Sequence, residues 1–489
     1  MYHISDIKKY ERCPRSFWLS RSNRKNFIPF VNYNENMSEL CKELLMIAED
    51  NAFVGKVNDD GALALAAYKE KKTLINARFA YEDVRIKVPF LLCEEDKTIL
   101  YFTYTNCYPK ESEAQGMADT ISVLEALDIN VDEVYAIHLN HEYIRKDSLD
   151  VKELFIINDC LYNNKNKAHK KIQDLLAQDK RDIKPLLAAL RACEESEDVK
   201  IKRTTACTRG NKCPYYEDCF RENVEDSSVL SLVQSAHKYD MKEDGIQDLK
   251  DVDIKRIEGT RHQYAQIMAD KLGGCYVDKG ALTCWINEHI SYPISYLDFE
   301  WETFAYPPYK GMRPFDVLAF QYSLHIEEKD GDALQHVNFI AEGDCREAFV
   351  VDLLAHVPKT GTILVYNMEG AEKLRLRQLA QQFPQYEKEL EQIWERMLDL
   401  SLPFSTGNVY DVRMRGFYSL KTLVPIFSDY NYQDLAISYG MDAVEAWRLY
   451  EKSEPAEKAI IYQQLSEYCS MDTYAEYIVY HALKKLAKA

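Results

Sequence analysis

The sequence has no long apolar run. No stretch is long enough to cross a bilayer, and the opening Met1-Tyr2-His3-Ile4-Ser5-Asp6 lacks the charged and apolar regions of a signal peptide. These absences predict a cytoplasmic protein with no membrane partner. There is no H-E-x-x-H and no clustered histidine pattern, which places a zinc-dependent hydrolase of small molecules last among the enzyme classes. No repeat or low-complexity segment stands out. Thirteen cysteines in 489 residues are too sparse for a disulfide scaffold, and in a cytosolic setting any that cluster read as metal ligands. An excess of positive charge is missing too: the net charge is −18. That excludes a protein basic all over, but not a nucleic-acid substrate. Carboxylate-bound metal ions neutralise a scissile phosphate locally, and basic patches can sit on an acidic chain. The candidate patches are Lys165, Lys167, Lys170 and Lys171; Lys373, Arg375 and Arg377; and Arg413 with Arg415, although such runs are usually solvated faces.

With 46% apolar residues the chain can bury more than one core. Residues 1–225 open on a short helical stretch, continue through strand-like runs at Val84–Val88 and Thr98–Tyr104, and close on a cysteine cluster. Residues 226–289 are polar and acidic at their start and read as a helical connection, with a short helix at Asp253–Ile257 entering a turn at Gly259-Thr260. Residues 290–489 turn α/β. Strands are expected at Ile294–Asp298, Leu318–Ile326 and Thr362–Tyr366, then an amphipathic helix through Leu376 and Leu379, and a strongly helical end from Ala456.

Two acidic clusters carry the chemistry. Asp298-Phe299-Glu300 on a strand places both carboxylates on one face, because side chains alternate with period two. Tyr468 and Asp472, four residues apart in a helical pattern, share a face. Between them, Tyr366-Asn367-Met368-Glu369-Gly370-Ala371-Glu372 puts an acid at the start of a helix behind a strand end, where ligands of α/β sheets bind. Asp298, Glu300, Glu372 and Asp472 would repel one another unless divalent cations lay between them, and oxygen-only ligands suit two magnesium or manganese ions. Such a pair activates a water and stabilises a leaving oxygen, with Tyr468 placed to orient that water. The bland reading of Tyr468 is a core aromatic with a satisfied hydroxyl. Gln321, Asp399-Leu400 and Ser419-Leu420-Lys421 read as fold-supporting, with Lys421 open to a phosphate contact.

Cys207, Cys213 and Cys219 are spaced C-x5-C-x5-C, and Cys13 offers a fourth thiolate from far away. Thiolates prefer soft metals, so these residues admit zinc or an iron-sulfur cluster. Cys41, Cys93, Cys160 and Cys284 read as small core residues.

The order D-x-E, an acid after Asn367, then Y-x-x-x-D resembles the DnaQ-like (RNase H-like) exonuclease superfamily in its tyrosine-bearing form, which removes nucleotides from 3′ ends with two metals. Tyr296–Glu300, Arg313-Pro314-Phe315, Phe320–His325, Ser419-Leu420-Lys421 and Tyr468-Cys469 with Asp472-Thr473 further resemble an uncharacterised bacterial family that pairs this domain with a RecB-like nuclease region. The superfamily's second motif supplies Asp, where this chain has Glu372, with Glu369 as its rival. Cys13-Pro14-Arg15 plus three late cysteines is similar to the iron-sulfur staple of RecB-like nucleases, so the resemblance implies a 4Fe-4S cluster on Cys13, Cys207, Cys213 and Cys219, with zinc as the alternative.

The RecB-like core also implies a PD-(D/E)xK site, which needs an Asp on one strand and Glu-x-Lys on the next. Here stand Arg85-Ile86-Lys87-Val88-Pro89 and Tyr101-Phe102-Thr103-Tyr104-Thr105, and Asp83, Glu94 or Asp119 would have to be recruited. The expectation is therefore an α/β protein with a degenerate RecB-like domain followed by a DnaQ-like domain. Its expected function is that of a metal-dependent 3′–5′ exonuclease acting on single-stranded DNA or RNA, the N-terminal half gripping the strand. The alternative is an inactive nucleic-acid-binding or scaffolding protein built from two nuclease folds.

Overall fold

The computed structural model describes residues 1–25, 29–94, 97–208, 212–220, 225 and 227–488. It is mixed α/β, with two large sheets. The first runs in the order Ala52–Val54, Thr73–Tyr81, Val84–Glu94, Lys97–Tyr104, Glu133–Leu139, Phe155–Asn158, with Tyr2–His3 added parallel to Val84–Arg85. One face packs a core of Ala77, Phe79, Val84, Ile86, Val88 and Leu100 against helices that include Ile4–Arg12 and Ala114–Glu125. Both expected N-terminal strands are present and longer than predicted, Val84 reaching Glu94 and Lys97 reaching Tyr104.

The second sheet runs Gln335–Ile340, Val317–Glu327, Ile294–Phe304, Ile363–Val365, Met397–Asp399. Its first three strands are antiparallel meanders, while Ile363–Val365 pairs parallel with the strand at Ser295 and Tyr296. Leu297 and Phe299 face a core with Phe349, Leu376 and Leu379. On the opposite face lies the 34-residue helix Pro455–Lys488, whose buried side includes Leu465, Tyr468, Val479 and Leu483. Several polar contacts hold this helix to the sheet. Gln321 Nε2 donates to the Leu465 carbonyl at 2.9 Å, and the Thr473 hydroxyl bonds Ser323 Oγ and His325 Nδ1, each at 2.8 Å. Each such bond contributes about 1 kcal/mol, but together they fix where the helix residues fall over the strands. Gly361, at φ +85°, lets the chain pass the Pro293 carbonyl, where a Cβ would lie 1.9 Å from the oxygen.

Packing crosses both expected domain boundaries. Val31–Asn32 pairs parallel with Thr303–Phe304 of the second sheet, and Ala305 and Tyr306 share a core with Ile75, Phe90 and Leu92 of the first. Ala265, Ala269, Leu282 and Trp285 belong to the C-terminal core, and Cys275–Val277 pairs with Val409–Asp411. The second half of 226–289 is thus part of the C-terminal packing, its apolar residues hidden among polar ones in sequence. At Asp253–Ile257 the helix is a single 3-10 turn, Ile254–Arg256; the longer helix begins at Arg261, with Thr260 accepting from the Gln263 N–H as its cap.

Candidate functional site

Asp298 and Glu300 leave the same face of the central strand, opposite Leu297 and Phe299, as the alternation requires. Directly after Glu300 the pairing slips: Glu300 faces Gln321 and Trp301 faces Ala319. A bulge at this place re-aims the neighbouring side chains. From across the sheet, Tyr468, Cys469, Asp472, Thr473 and Glu476 form the buried stripe of the long helix. Asp298, Glu300 and Asp472 meet here, each offering a carboxylate oxygen within 4.8 Å of the others.

Glu372, the first residue of the helix Glu372–Gln382, is 1% exposed. A backbone contact with Phe299, the residue between Asp298 and Glu300, helps hold its carboxylate, while Oε2 has no hydrogen-bond partner. Glu369 lies elsewhere: it pairs with Lys373 and Arg377 on the surface. Of the two rivals, Glu372 is the one beside the acid set.

Burial sets the electrostatics. It raises Asp298 well above the carboxylate range, and Asp472, Glu300 and Glu372 raise it further. Glu300 is raised by burial and by Asp472, and Glu372 is pushed up to about 8, chiefly by burial. Asp472 is raised by burial while Tyr432, Lys421 and Tyr468 pull it back. Asp298 keeps partial solvent contact, so the cluster opens to solvent at one end.

Sequence reasoning missed three members of this site. Glu476 lies one turn beyond Asp472, is fully buried, and has no hydrogen-bond partner for either carboxylate oxygen. Burial raises it well above the usual range, followed by Asp298, Glu372 and Asp472. Its signal was there to read, since Y-x-x-x-D-x-x-x-E continues the four-residue spacing. Tyr432 donates to Asp472 Oδ1 at 2.7 Å, from a loop with no periodic signal. Cys469 lies 3.6 Å from Asp298 Oδ2, and burial pushes its thiol well up.

Tyr468 is a buried ring of the C-terminal core. Its hydroxyl accepts from Lys421 Nζ at 3.0 Å, and Lys421 sits over the rings of Tyr432, Tyr439 and Tyr468 at 5.3, 4.8 and 5.1 Å. Burial, then Asp472 and Glu300, keep the phenol far above its ordinary value. The phenol therefore keeps its proton. Asp399 does what its fold-supporting reading requires, accepting from the backbone of Asn367, Met368 and Ser401.

The cysteines lie close in the fold without a tight grouping. Cys213 N–H donates to the Cys207 carbonyl at 2.9 Å, and Cys207 and Cys213 both act on the Cys219 thiol. Flanking Cys13, Arg12 donates to the Ala206 carbonyl at 2.9 Å and Arg15 acts on Cys219, so the N-terminal segment reaches the three late thiols. Among the described residues no three of these sulfurs come within 4.8 Å of one another, whereas a tetrahedral zinc would draw them to about 3.8 Å.

Of the acids considered for the first sheet, Asp119 is ion-paired to Arg181 at 2.8 Å, Asp83 is bound by Arg191, and Glu94 lies opposite Lys97. None joins a metal-ligand group among the described residues. The expected basic runs are largely neutralised: Lys170 and Lys171 face Glu111 and Asp159, Lys373 and Arg377 face Glu369, Arg413 chelates Asp411, and Arg375 stacks on Trp301 at 4.6 Å.

A family model for a domain of unknown function, DUF2779, matches residues 295–419. The match begins at the strand of Asp298 and Glu300, includes Glu372, and stops before Lys421, Tyr468 and Asp472. No curated protein and no solved structure matches the chain.

Proposed function

We propose that this protein is a two-metal-ion 3′–5′ exonuclease acting on single-stranded ends of DNA or RNA, with the acid pocket of the C-terminal sheet as its active site. One observation carries the reading: Asp298, Glu300 and Asp472 converge within 4.8 Å beside buried, incompletely bonded Glu372 and Glu476. Buried carboxylates at this density are costly without a cation. Orphaned buried oxygens and an all-oxygen donor set fit hard divalent ions, magnesium or manganese. When bound, the ions supply activation of the attacking water and stabilisation of the leaving oxygen.

The chain's own residues do the rest. Asp298, which keeps solvent contact, would hold the ions together with Glu300 and Asp472, and the unbonded oxygens of Glu372 and Glu476 are the further carboxylate donors beside them. Tyr468, with Lys421 donating to its oxygen, keeps a phenolic proton to orient the water and cannot take one. In the N-terminal half, Cys13, Cys207, Cys213 and Cys219 would hold a 4Fe-4S cluster, with zinc as the alternative, that ties both ends of that domain together. The N-terminal half, in which arginines engage Asp83 and Asp119, binds the strand and does not cut it.

Polarity tests the reading. With a single-stranded oligonucleotide carrying phosphorothioate linkages at one end, a 3′ block should stop degradation and a 5′ block should not. Degradation stopped only by the 5′ block, or cuts at internal positions only, would overturn it.

A further inference from the structure

The first sheet carries a charged surface that the acid pocket does not use. Thr73–Tyr81 and Val84–Glu94 pair antiparallel, with Arg78 opposite Lys87 and Ala80 opposite Arg85. Ala77, Phe79, Val84, Ile86 and Val88 enter one core, so alternation turns Arg78, Arg85 and Lys87 together onto the other face. Like charges directly opposed across a ladder destabilise it. Among the described residues no carboxylate forms an ion pair with any of the three. Arg78 donates to the Asn76 carbonyl at 3.2 Å and Arg85 to the Asp59 carbonyl at 2.6 Å, both backbone groups. No hydrogen bond or ion pair of Lys87 is found among the described residues, and it is exposed. The one acid that bears on Arg78 is Asp59, whose Oδ2 already accepts from the Lys56 N–H at 2.7 Å. In a chain with 79 acids to 61 bases, three neighbouring cations without an acid between them are not a matter of composition. Burial and the adjoining charge, Arg85 for Arg78 and Arg78 for Lys87, hold both below their ordinary values, the mark of cations that repel one another.

Further along the same strands, Ile75, Phe90 and Leu92 pack with Ala305 and Tyr306, just beyond the strand that carries Asp298 and Glu300. Tyr101 and Tyr135, partly exposed, stack at 5.5 Å in that same cluster.

We infer that Arg78, Arg85 and Lys87 form a phosphate-backbone site for single-stranded nucleic acid. The three cations attract phosphate and have no means of activating water. Guanidinium groups fork onto phosphate oxygens, and aromatic rings beside a cationic stripe suit a strand with unstacked bases more than an acidic peptide. The inference rests on the proposed nuclease function only for the strand's destination, not for the binding itself.

The test is fluorescence anisotropy of the full-length protein with labelled oligothymidylate and oligouridylate of about 20 nucleotides, longer than a single binding patch, in chelator. Arg78→Gln/Arg85→Gln/Lys87→Gln should bind at least about tenfold more weakly, with a log-log salt slope shallower by about 2, from roughly 0.7 per phosphate contact. Lys87→Gln alone removes no hydrogen bond and should weaken binding about threefold, while Arg78→Lys/Arg85→Lys, which keeps the charge but gives up the guanidinium forks, should keep the wild-type salt slope and lose less affinity than the triple variant. Unchanged affinity and slope in the triple variant would overturn the inference, as would polyglutamate displacing the oligonucleotide as well as unlabelled oligothymidylate does. Chelator silences any cleavage, so a failed nuclease assay leaves a positive binding result standing, and a failed binding assay leaves the acid pocket untouched.

Discussion

Replacing Glu476 with methionine separates a metal site from an accident of packing. Its carboxyl group is fully buried and both oxygens lack partners, so in chelator it costs stability: a buried polar group without a hydrogen bond is worth about 1–3 kcal/mol against the fold. Methionine has a similar length and no such group. Glu476→Met should therefore be more stable than wild type in chelator by roughly that amount, which for a domain of this size raises the C-terminal melting transition by roughly 2–4 °C per kcal/mol. Manganese narrows the advantage. Wild type should gain about 2.7 kcal/mol at a hundred times its dissociation constant. A variant binding tenfold more weakly for want of one ligand should gain about 1.4 kcal/mol less. Calorimetry with and without manganese reads both terms. If Glu476→Met is the less stable protein in chelator, Glu476 is part of an ordinary bonded core; if it gains the full manganese increment, Glu476 is not a ligand. Either result would refute the reasoning.

Further outcomes follow from the same geometry. Tyr468→Phe should lower degradation by roughly 10–100-fold while leaving manganese affinity unchanged, because one donor to water is lost and no ligand; unchanged activity would return Tyr468 to a core role. Anaerobically purified protein should carry iron with visible absorption, and Cys13→Ser should lose it and loosen both ends of the N-terminal domain; stoichiometric zinc without iron would reject the cluster. His262, buried between Tyr410 and Tyr418, is depressed to about 4 by burial. Its folded-state value lies below the unfolded one, so its contribution is complete above about pH 6.5 and is lost as pH falls toward 4, roughly 3 kcal/mol in all. His262→Gln should flatten the stability profile across that window.

The α/β character of the chain and the geometry of the acid pocket were legible because each rests on a local period. Asp298 and Glu300 share a face by strand alternation, and Tyr468 and Asp472 by helical spacing, whatever the rest of the fold does. Glu476 obeyed the same rule one turn further on and was passed over because no motif names it. Tyr432 and the aromatic cage around Lys421 were not legible, since Tyr432 and Tyr439 are loop residues that reach the pocket only through long-range packing. The strand Val31–Asn32 is two residues long and joins a sheet nearly three hundred residues away, a pairing no local pattern encodes. The basic runs agree with the solvated-face reading, since Lys373 and Arg377 pair with Glu369 on the surface, while Arg78, Arg85 and Lys87, spread over two strands, look unremarkable until the register brings them together.

The most direct test of the central claim is degradation of 5′-end-labelled single-stranded DNA and RNA by purified wild-type protein and Asp298→Ala, each with magnesium, manganese or chelator, read as a product ladder. The account predicts a ladder descending one nucleotide at a time from the 3′ end with either metal and none with chelator. It also predicts loss of that ladder in Asp298→Ala, because removing the carboxylate at the open end of the pocket misplaces a metal that both reacting oxygens need. An Asp298→Ala protein that still degrades the strand at wild-type rate would contradict it and move the chemistry out of the C-terminal half.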